Sequence, residues 1–273
     1  MIPHLKSRKY IYGVDFSGAR DAGRRIWIAQ GVMRQEALLI VNLFQVRDLL
    51  NSGKDRESGL RALTKFIMKE KESIFGLDFP FGLPLSLVKE KTWHEFVRSF
   101  SENYKSPEEF IRLCKSESGG KELKRLTDIE AKTPFSPYNL RLYRQTYFGI
   151  REVLGPLIQN NAACALPMQR PSPGKVWIIE ICPASTLKME NLNVSYKGRG
   201  ERHRIARVNI LKHFEGRGLL EITKSALHST IVNDSGGDAL DSVIAAFATF
   251  QSLKDGSTPR KDCQHSLEGW VYV

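Results

Sequence analysis

Several large protein classes are excluded by what this sequence lacks. Its 273 residues include four cysteines, Cys114, Cys164, Cys182 and Cys263, far apart and with no CxxC pair. That is neither a disulfide framework nor a zinc cage. It suits a reducing cytosol, so a cytoplasmic location is expected. The longest apolar run, near Ala37–Val41, falls far short of the ~18 residues a membrane span needs. The basic start, Met1 to Lys9, has no apolar h-region, so no secretion signal is expected. There is no internal repeat and no low-complexity tract. Gly119-Gly120-Lys121 and Gly53-Lys54 lack the spacing and the Ser/Thr of a Walker A loop. Gly198-Arg199-Gly200 lacks the third glycine of a dinucleotide loop, no serine sits in a GxSxG elbow, and His94-Glu95 lacks the second histidine of a zinc helix.

Positive charge is what the chain has in excess. Lys and Arg total 41 against 30 Asp and Glu, a formal charge of +11. An apolar content of 41% with 26% charged residues is that of an ordinary globular chain. The basic excess points to an anionic partner such as nucleic acid, nucleotide or a membrane surface, and is silent about fold.

Periodicity supplies the fold. Residues 10–16 read as a buried strand followed by the turn Ser17-Gly18-Ala19, and Arg25–Val32 and Glu36–Phe44 as two further strands of an antiparallel meander. Glu57–Lys71 carries Leu60, Leu63, Phe66 and Ile67 at helical spacing. Ile74–Phe79 and Lys175–Ile181 read as a fourth and a fifth strand. Arg202–Phe214 reads as a helix with Ile205, Val208, Leu211 and Phe214 on one face, and Asp238–Phe250 as a second; Gly269–Val273 offers a last strand. Residues 85–174 break into helices at Thr92–Phe100, Pro107–Cys114 and Tyr138–Gln159. The expectation is one α/β domain over residues 1–273, a mixed five-stranded sheet flanked by helices, with 85–174 as a helical insertion.

Acids mark the strand ends. Asp15 sits in or just after the first strand, Asp78 lies in the fourth and Glu180 in the fifth, while Asp238 and Asp241 open the last long helix on one face. Open α/β sheets place ligands at the carboxyl ends of their strands. Carboxylates gathered there repel one another unless a cation neutralises them, and hard oxygen donors suit Mg²⁺ or Mn²⁺. The expected metal ligands are therefore Asp15, Asp78, Glu180, Asp238 and Asp241, with the four aspartates as the catalytic set and one or two ions as cofactor. Asp234, before Ser235-Gly236-Gly237, is expected to cap the helix start.

This β-β-β-α-β-α-β-α order, with acids in strands one and four and Asp238-x-x-Asp241 at the last helix, resembles the ribonuclease H-like fold. Asp238-Ala-Leu-Asp241-Ser-Val-Ile-Ala-Ala resembles the acidic C-terminal helix of Holliday-junction resolvases, in which both aspartates bind metal. Gly13-Val-Asp-Phe-Ser-Gly-Ala, Gly76-Leu-Asp-Phe-Pro-Phe-Gly-Leu-Pro, Ile179-Glu-Ile-Cys-Pro-Ala, Tyr196-Lys-Gly, Asp238-Ala-Leu and Glu268-Gly-Trp-Val-Tyr together resemble domain-of-unknown-function family 429, whose members are described as predicted ribonuclease H-like nucleases. The resemblance implies the fold, a metal site at Asp15, Asp78, Asp238 and Asp241, and a strand-five acid at Glu180.

Basic side chains frame these acids. Arg141, Arg144 and Arg151, with Phe148 between them at 100° per residue, form a stripe suited to a nucleic-acid strand. Lys197, Arg199, Arg202, Arg204 and Arg207 surround a loop whose Gly198 and Gly200 would let amides approach phosphate. Lys197, Arg199 and Arg204 join the three stripe arginines as expected substrate contacts; Arg125-Leu-Thr-Asp128 has no assigned role. The reading is a metal-dependent nuclease acting on nucleic acid or nucleotide, with no membrane partner. Two alternatives stay open: a phosphotransferase of the actin and sugar-kinase class, using Asp15-Phe-Ser-Gly-Ala and Asp234-Ser-Gly-Gly as phosphate loops, and a non-catalytic nucleic-acid-binding module with a vestigial metal site.

Overall fold

Strands form where the apolar runs predict them. β1 (Tyr10–Asp15), β2 (Trp27–Arg34) and β3 (Ala37–Gln45) make the antiparallel meander, and β4 (Ser73–Leu77) returns parallel beside β1. β6 (Val176–Ile181) lies parallel to β4. The computed structural model describes residues 8–254 and 264–273; the N-terminal residues through Ser7 and Cys263 lie outside them. The sheet holds eight strands, not five. β5 (Ala163–Ala165), β7 (Leu220–Glu221) and β8 (Val271–Tyr272) extend it in the order β5-β6-β4-β1-β2-β3-β7, with β8 beside β6. β8 falls inside the last strand expected at Gly269–Val273, whereas β5 and β7, three and two residues long, are too short for a period to show. β5 lies inside the stretch expected to hold helices broken by loops.

Alternation along the strands divides the core. Tyr12, Val14, Phe75, Leu77, Val176 and Ile178 point to one face of the sheet. Helix Arg56–Lys69 covers that face, its Phe66 against Tyr12 and Phe75, and helix Trp93–Asn103 packs outside it on the helical run over 143–159, Phe100 meeting Tyr147. Ile11, Ile74, Trp177, Ile179 and Ile181 point to the other face. There they meet helices Glu201–Gly216 and Asp238–Lys254. Ile205 is the exception on the first of these: it is exposed rather than part of the buried row. Among the described residues no helix is long and apolar enough to cross a membrane.

Two glycines seat the last helix. Gly13 and Gly76 are register partners across β1 and β4. A Cβ on Gly13 would lie 2.1 Å from both the Ser242 carbonyl oxygen and the Ala246 amide nitrogen. One on Gly76 would lie 2.0 Å from Thr249 Oγ1. The helix backbone therefore rests directly on the strands. Gly13→Ala forces backbone apart and is expected to cost about 1–3 kcal/mol, read as a lower urea midpoint; an unchanged midpoint would contradict this packing.

Candidate active site

The same period of two that faces Gly13 and Gly76 toward the helix carries Asp15 and Asp78 to that side. Asp15 is the last residue of β1. Asp78 sits one residue past β4, not within it, its amide donating to the Val14 carbonyl at 3.1 Å. Asp238 and Asp241 project from the first turn of the helix lying over these strand ends. There the positive end of the helix dipole favours negative charge. Asp234 serves the same helix start, its Oδ2 accepting from the Ala239 amide at 2.8 Å.

What separates these acids from ordinary buried ones is their lack of donors. Among the described residues no hydrogen bond reaches the carboxylate of Asp15 or Asp78, although Asp15 is only 8% exposed. Asp238 has Lys197 Nζ at 3.6 Å. Asp241 is better served: Tyr196 OH donates to its Oδ1 at 2.5 Å and Lys197 Nζ lies 2.6 Å from Oδ2. One ammonium thus faces four carboxylates. Burial, then the charges of Asp241 and Asp238, hold the Asp15 carboxyl well above its usual range, against Lys197. Burial and Asp241 push Asp78 up to about 8. Burial also raises Asp238 and Asp241.

These directions set a pH dependence. A carboxyl raised in the folded state keeps a proton that the unfolded chain has released. Its stabilisation is therefore complete below the ordinary carboxylate range and is lost as pH rises to about 8, the value for Asp78. The metal-free protein is expected to melt higher at pH 5 than at pH 8, with the slope reduced by Asp78→Asn. Equal slopes in the two proteins would remove Asp78 as its source.

Glu180 stands near Asp78 but is held differently. Its parity places it with Val176 and Ile178 on the opposite face of the sheet. Both its oxygens are taken: Arg125 donates to Oε1 at 2.5 Å and to Oε2 at 2.8 Å, and the Phe81 amide donates to Oε2 at 2.8 Å. These bonds set it apart from the donor-poor acids, although it lines a hollow with Asp78 and Asp241. Arg125 also donates to Asp128 at 2.8 and 2.9 Å. Glu268 holds the Leu85 and Leu126 amides at 2.6 and 2.8 Å. The unassigned Arg125-Leu-Thr-Asp128 segment is thus a buried clamp between the 85–174 stretch, β6 and the C-terminal segment. Its partners lie 55 and more residues away, beyond any local pattern.

The basic residues divide as well. Lys197 lies among the acids. Buried Arg207 puts it there, donating to the carbonyls of Tyr196 at 2.5 Å, Gly198 at 3.2 Å and Val232 at 2.7 Å. Arg199 is exposed, and Arg204 pairs with Glu201 at 2.7 Å on the surface. The stripe of Arg141, Arg144 and Arg151 is not formed as expected. The helix begins at Tyr143 and passes through a π-helical turn, Gly149–Leu154, which breaks the 100° spacing. Arg144 pairs with Glu108 at 2.6 Å and Arg151 with Glu152 at 3.2 Å. Phe148 is buried beneath the Arg56 guanidinium, 3.7 Å from its ring centroid. Arg141 alone of the three reaches the acids' surroundings, lining the hollow that ends on Asp78 and Asp241. In the two loops of the phosphotransferase alternative, a Cβ on Gly18 would lie 2.4 Å from the Arg144 carbonyl oxygen and one on Gly237 3.0 Å from the Tyr196 ring, while Gly236 is exposed.

Two hollows meet at the cluster. One, of about 210 Å³, is lined by Asp15, Asp78, Asp238, Lys197, Arg25 and Ser17 among others. Its neighbour, of about 230 Å³, shares Asp78, Gln145 and Lys197 with it. Among the described residues no three His, Cys, Asp or Glu side chains stand in ready-made metal geometry. The donor chemistry nonetheless fits a hard divalent cation: oxygen only, buried, donor-poor and short of positive charge.

The fold is a mixed α/β sheet, an antiparallel meander followed by parallel strands, with helices on both faces. No family model and no curated protein matches the chain. The resemblance to family 429 therefore stands on its motifs alone. Among solved structures, the chain is similar to the yeast mitochondrial Holliday junction resolvase, Ydc2. The identity is 10% over 92% of this chain and 84% of that one, with a TM-score of 0.38. A likeness at that level says nothing of activity, which has to be read from the residues.

Proposed function

We propose that the protein is a metal-dependent phosphodiesterase acting on nucleic acid. The observation that carries this reading is the convergence of four aspartates from three chain segments around one ammonium, Asp15, Asp78 and Asp238 lining one hollow and Asp241 the adjoining hollow that shares Asp78 and Lys197. Mg²⁺ or Mn²⁺ bound there would supply Lewis-acid stabilisation of a transferring phosphoryl group and acidify a water. The four aspartates would hold that charge. Lys197 offsets part of their repulsion and is the group a cation competes with. Gln145 fixes the Asp78 backbone, its Nε2 donating to the carbonyl oxygen at 2.5 Å. Arg141 supplies positive charge at the rim for the substrate backbone. In the reaction a water oxygen adds to phosphorus as one P–O ester bond breaks, giving a phosphate monoester and a free hydroxyl.

The motif resemblance to family 429 and to resolvase acidic helices favours the same chemistry. In this reading the chain works as one unit, residues 85–174 forming an insertion that walls the substrate side. Incubation of the protein with labelled single-stranded, duplex and branched DNA or RNA is expected to give cleavage with Mn²⁺ or Mg²⁺ and none in chelator. Nucleic-acid binding without cleavage under any of these conditions would leave the vestigial-site reading instead.

A further inference from the structure

We propose that the 230 Å³ hollow beside the acids receives one unpaired nucleobase, so that the substrate is single-stranded or locally opened nucleic acid. This rests on reading the acids as a phosphodiesterase centre and names its substrate class. The two adjoining hollows differ in chemistry. The acidic one is lined almost wholly by charged and polar groups. The other presents Phe79, Pro134, Phe135, Leu142 and Pro183 along its walls and reaches Asp78 and Asp241 at its end. A nucleotide has the same two parts, a charged diester joined to a flat ring with apolar faces.

Size and rigidity select within that class. The hollow is smaller than the ~300–1,000 Å³ of common ligand pockets, which suits a single ring system and leaves no room for a base pair. Half-buried Phe135 offers a π-face on which any base can stack. The Arg141 guanidinium lies 5.6 Å from that ring's centroid. Among the described residues Arg141 has no carboxylate partner, whereas Arg144 and Arg151 do. It is therefore free to meet a phosphate or a base face. The wall is held from below: Thr133 Oγ1 bonds Asp128 Oδ1 at 3.2 Å, and Arg125 fixes Asp128. A base in a duplex would have to leave its stack to enter, a cost that is least for strands already unpaired.

The test measures binding in chelator, so cleavage plays no part. Fluorescence anisotropy would compare a short mixed-sequence DNA strand with its blunt duplex at one salt concentration. A second strand would carry 2-aminopurine as the reporting base. The single strand is expected to bind about 10-fold more tightly. Phe135→Ala and Arg141→Gln, each checked for an unchanged melting temperature, are expected to remove that preference. Quenching of 2-aminopurine on binding is expected with the native protein and with Phe135→Tyr, and not with Phe135→Ala. Should Phe135→Ala not fold, Arg141→Gln and the retained ring of Phe135→Tyr decide the matter. Equal affinity for strand and duplex, or a preference untouched by the folded variants, overturns the proposal. The strand preference with no cleavage in Mn²⁺ keeps the base pocket and removes the nuclease reading. Cleavage with no strand preference does the reverse.

Discussion

Asp15→Asn is expected to lower Mn²⁺-dependent cleavage by at least ~10²–10³-fold, comparable to removing one essential electrostatic group from an active site. The same substitution should leave the metal-free protein as stable as before, or more stable. Asn keeps the shape of Asp and removes one negative charge from a group facing Asp241 and Asp238. No hydrogen bond from a described residue is lost, because none reaches the Asp15 carboxylate. An ordinary buried acid behaves in the opposite way: its partners are stranded by substitution and stability falls. Two measurements at pH 8 separate the cases. Native protein should gain melting temperature with Mn²⁺, and Asp15→Asn should start at or above the native metal-free value and gain less. A folded Asp15→Asn variant that cleaves at the native rate removes Asp15 from the site. A variant that melts well below native protein in chelator makes Asp15 a structural acid.

Much of this centre is legible in the chain, and the physical reason is alternation. Gly13-x-Asp15 and Gly76-x-Asp78 repeat one device: a glycine that admits the helix, then an acid two residues on, on the same side of the strand. Asp238 and Asp241 follow from a helical spacing of three. Alternation also sets Glu180 apart from the aspartates, since Val176, Ile178 and Glu180 share a side and Ile179 and Ile181 take the other. Which side faces the acids becomes clear only once β6 is paired with β4. The arginine stripe failed for a local reason, the π-helical turn at Gly149–Leu154, which no 100° count anticipates. Lys197 stands in the sequence as one of a basic group and within the Tyr196-Lys-Gly motif. Its place among the acids depends on Arg207, ten residues on, gripping the Tyr196 and Gly198 carbonyls. β5 and β7 escaped notice because strands of three and two residues carry no period.

The largest stability effect is expected at Arg125. Its side chain is 1% exposed and bridges Asp128 and Glu180, at 2% and 3%. Arg125→Met fills similar space and strands two carboxylates in the interior. The expected cost is about 3–5 kcal/mol, the range for breaking a buried ion pair by removing one partner. For a chain of this size that is a fall of ~10 °C or more in melting temperature. The pair itself is a weak source of stability, so neutralising the stranded acids should recover part of the loss. Asp128→Asn with Glu180→Gln, added to Arg125→Met, should therefore melt above Arg125→Met alone. Both replacements keep a side-chain oxygen for the Arg125 and Phe81 amides, which donate at 3.0 and 2.8 Å. The series also decides what Glu180 is for. Glu180→Gln alone leaves Arg125 with one carboxylate partner and should lower stability while keeping the full Mn²⁺-induced gain in melting temperature, because the acid faces away from Asp15. Loss of that gain, with metal-free stability unchanged, would return Glu180 to the metal site and place its carboxylate on the other side of the sheet.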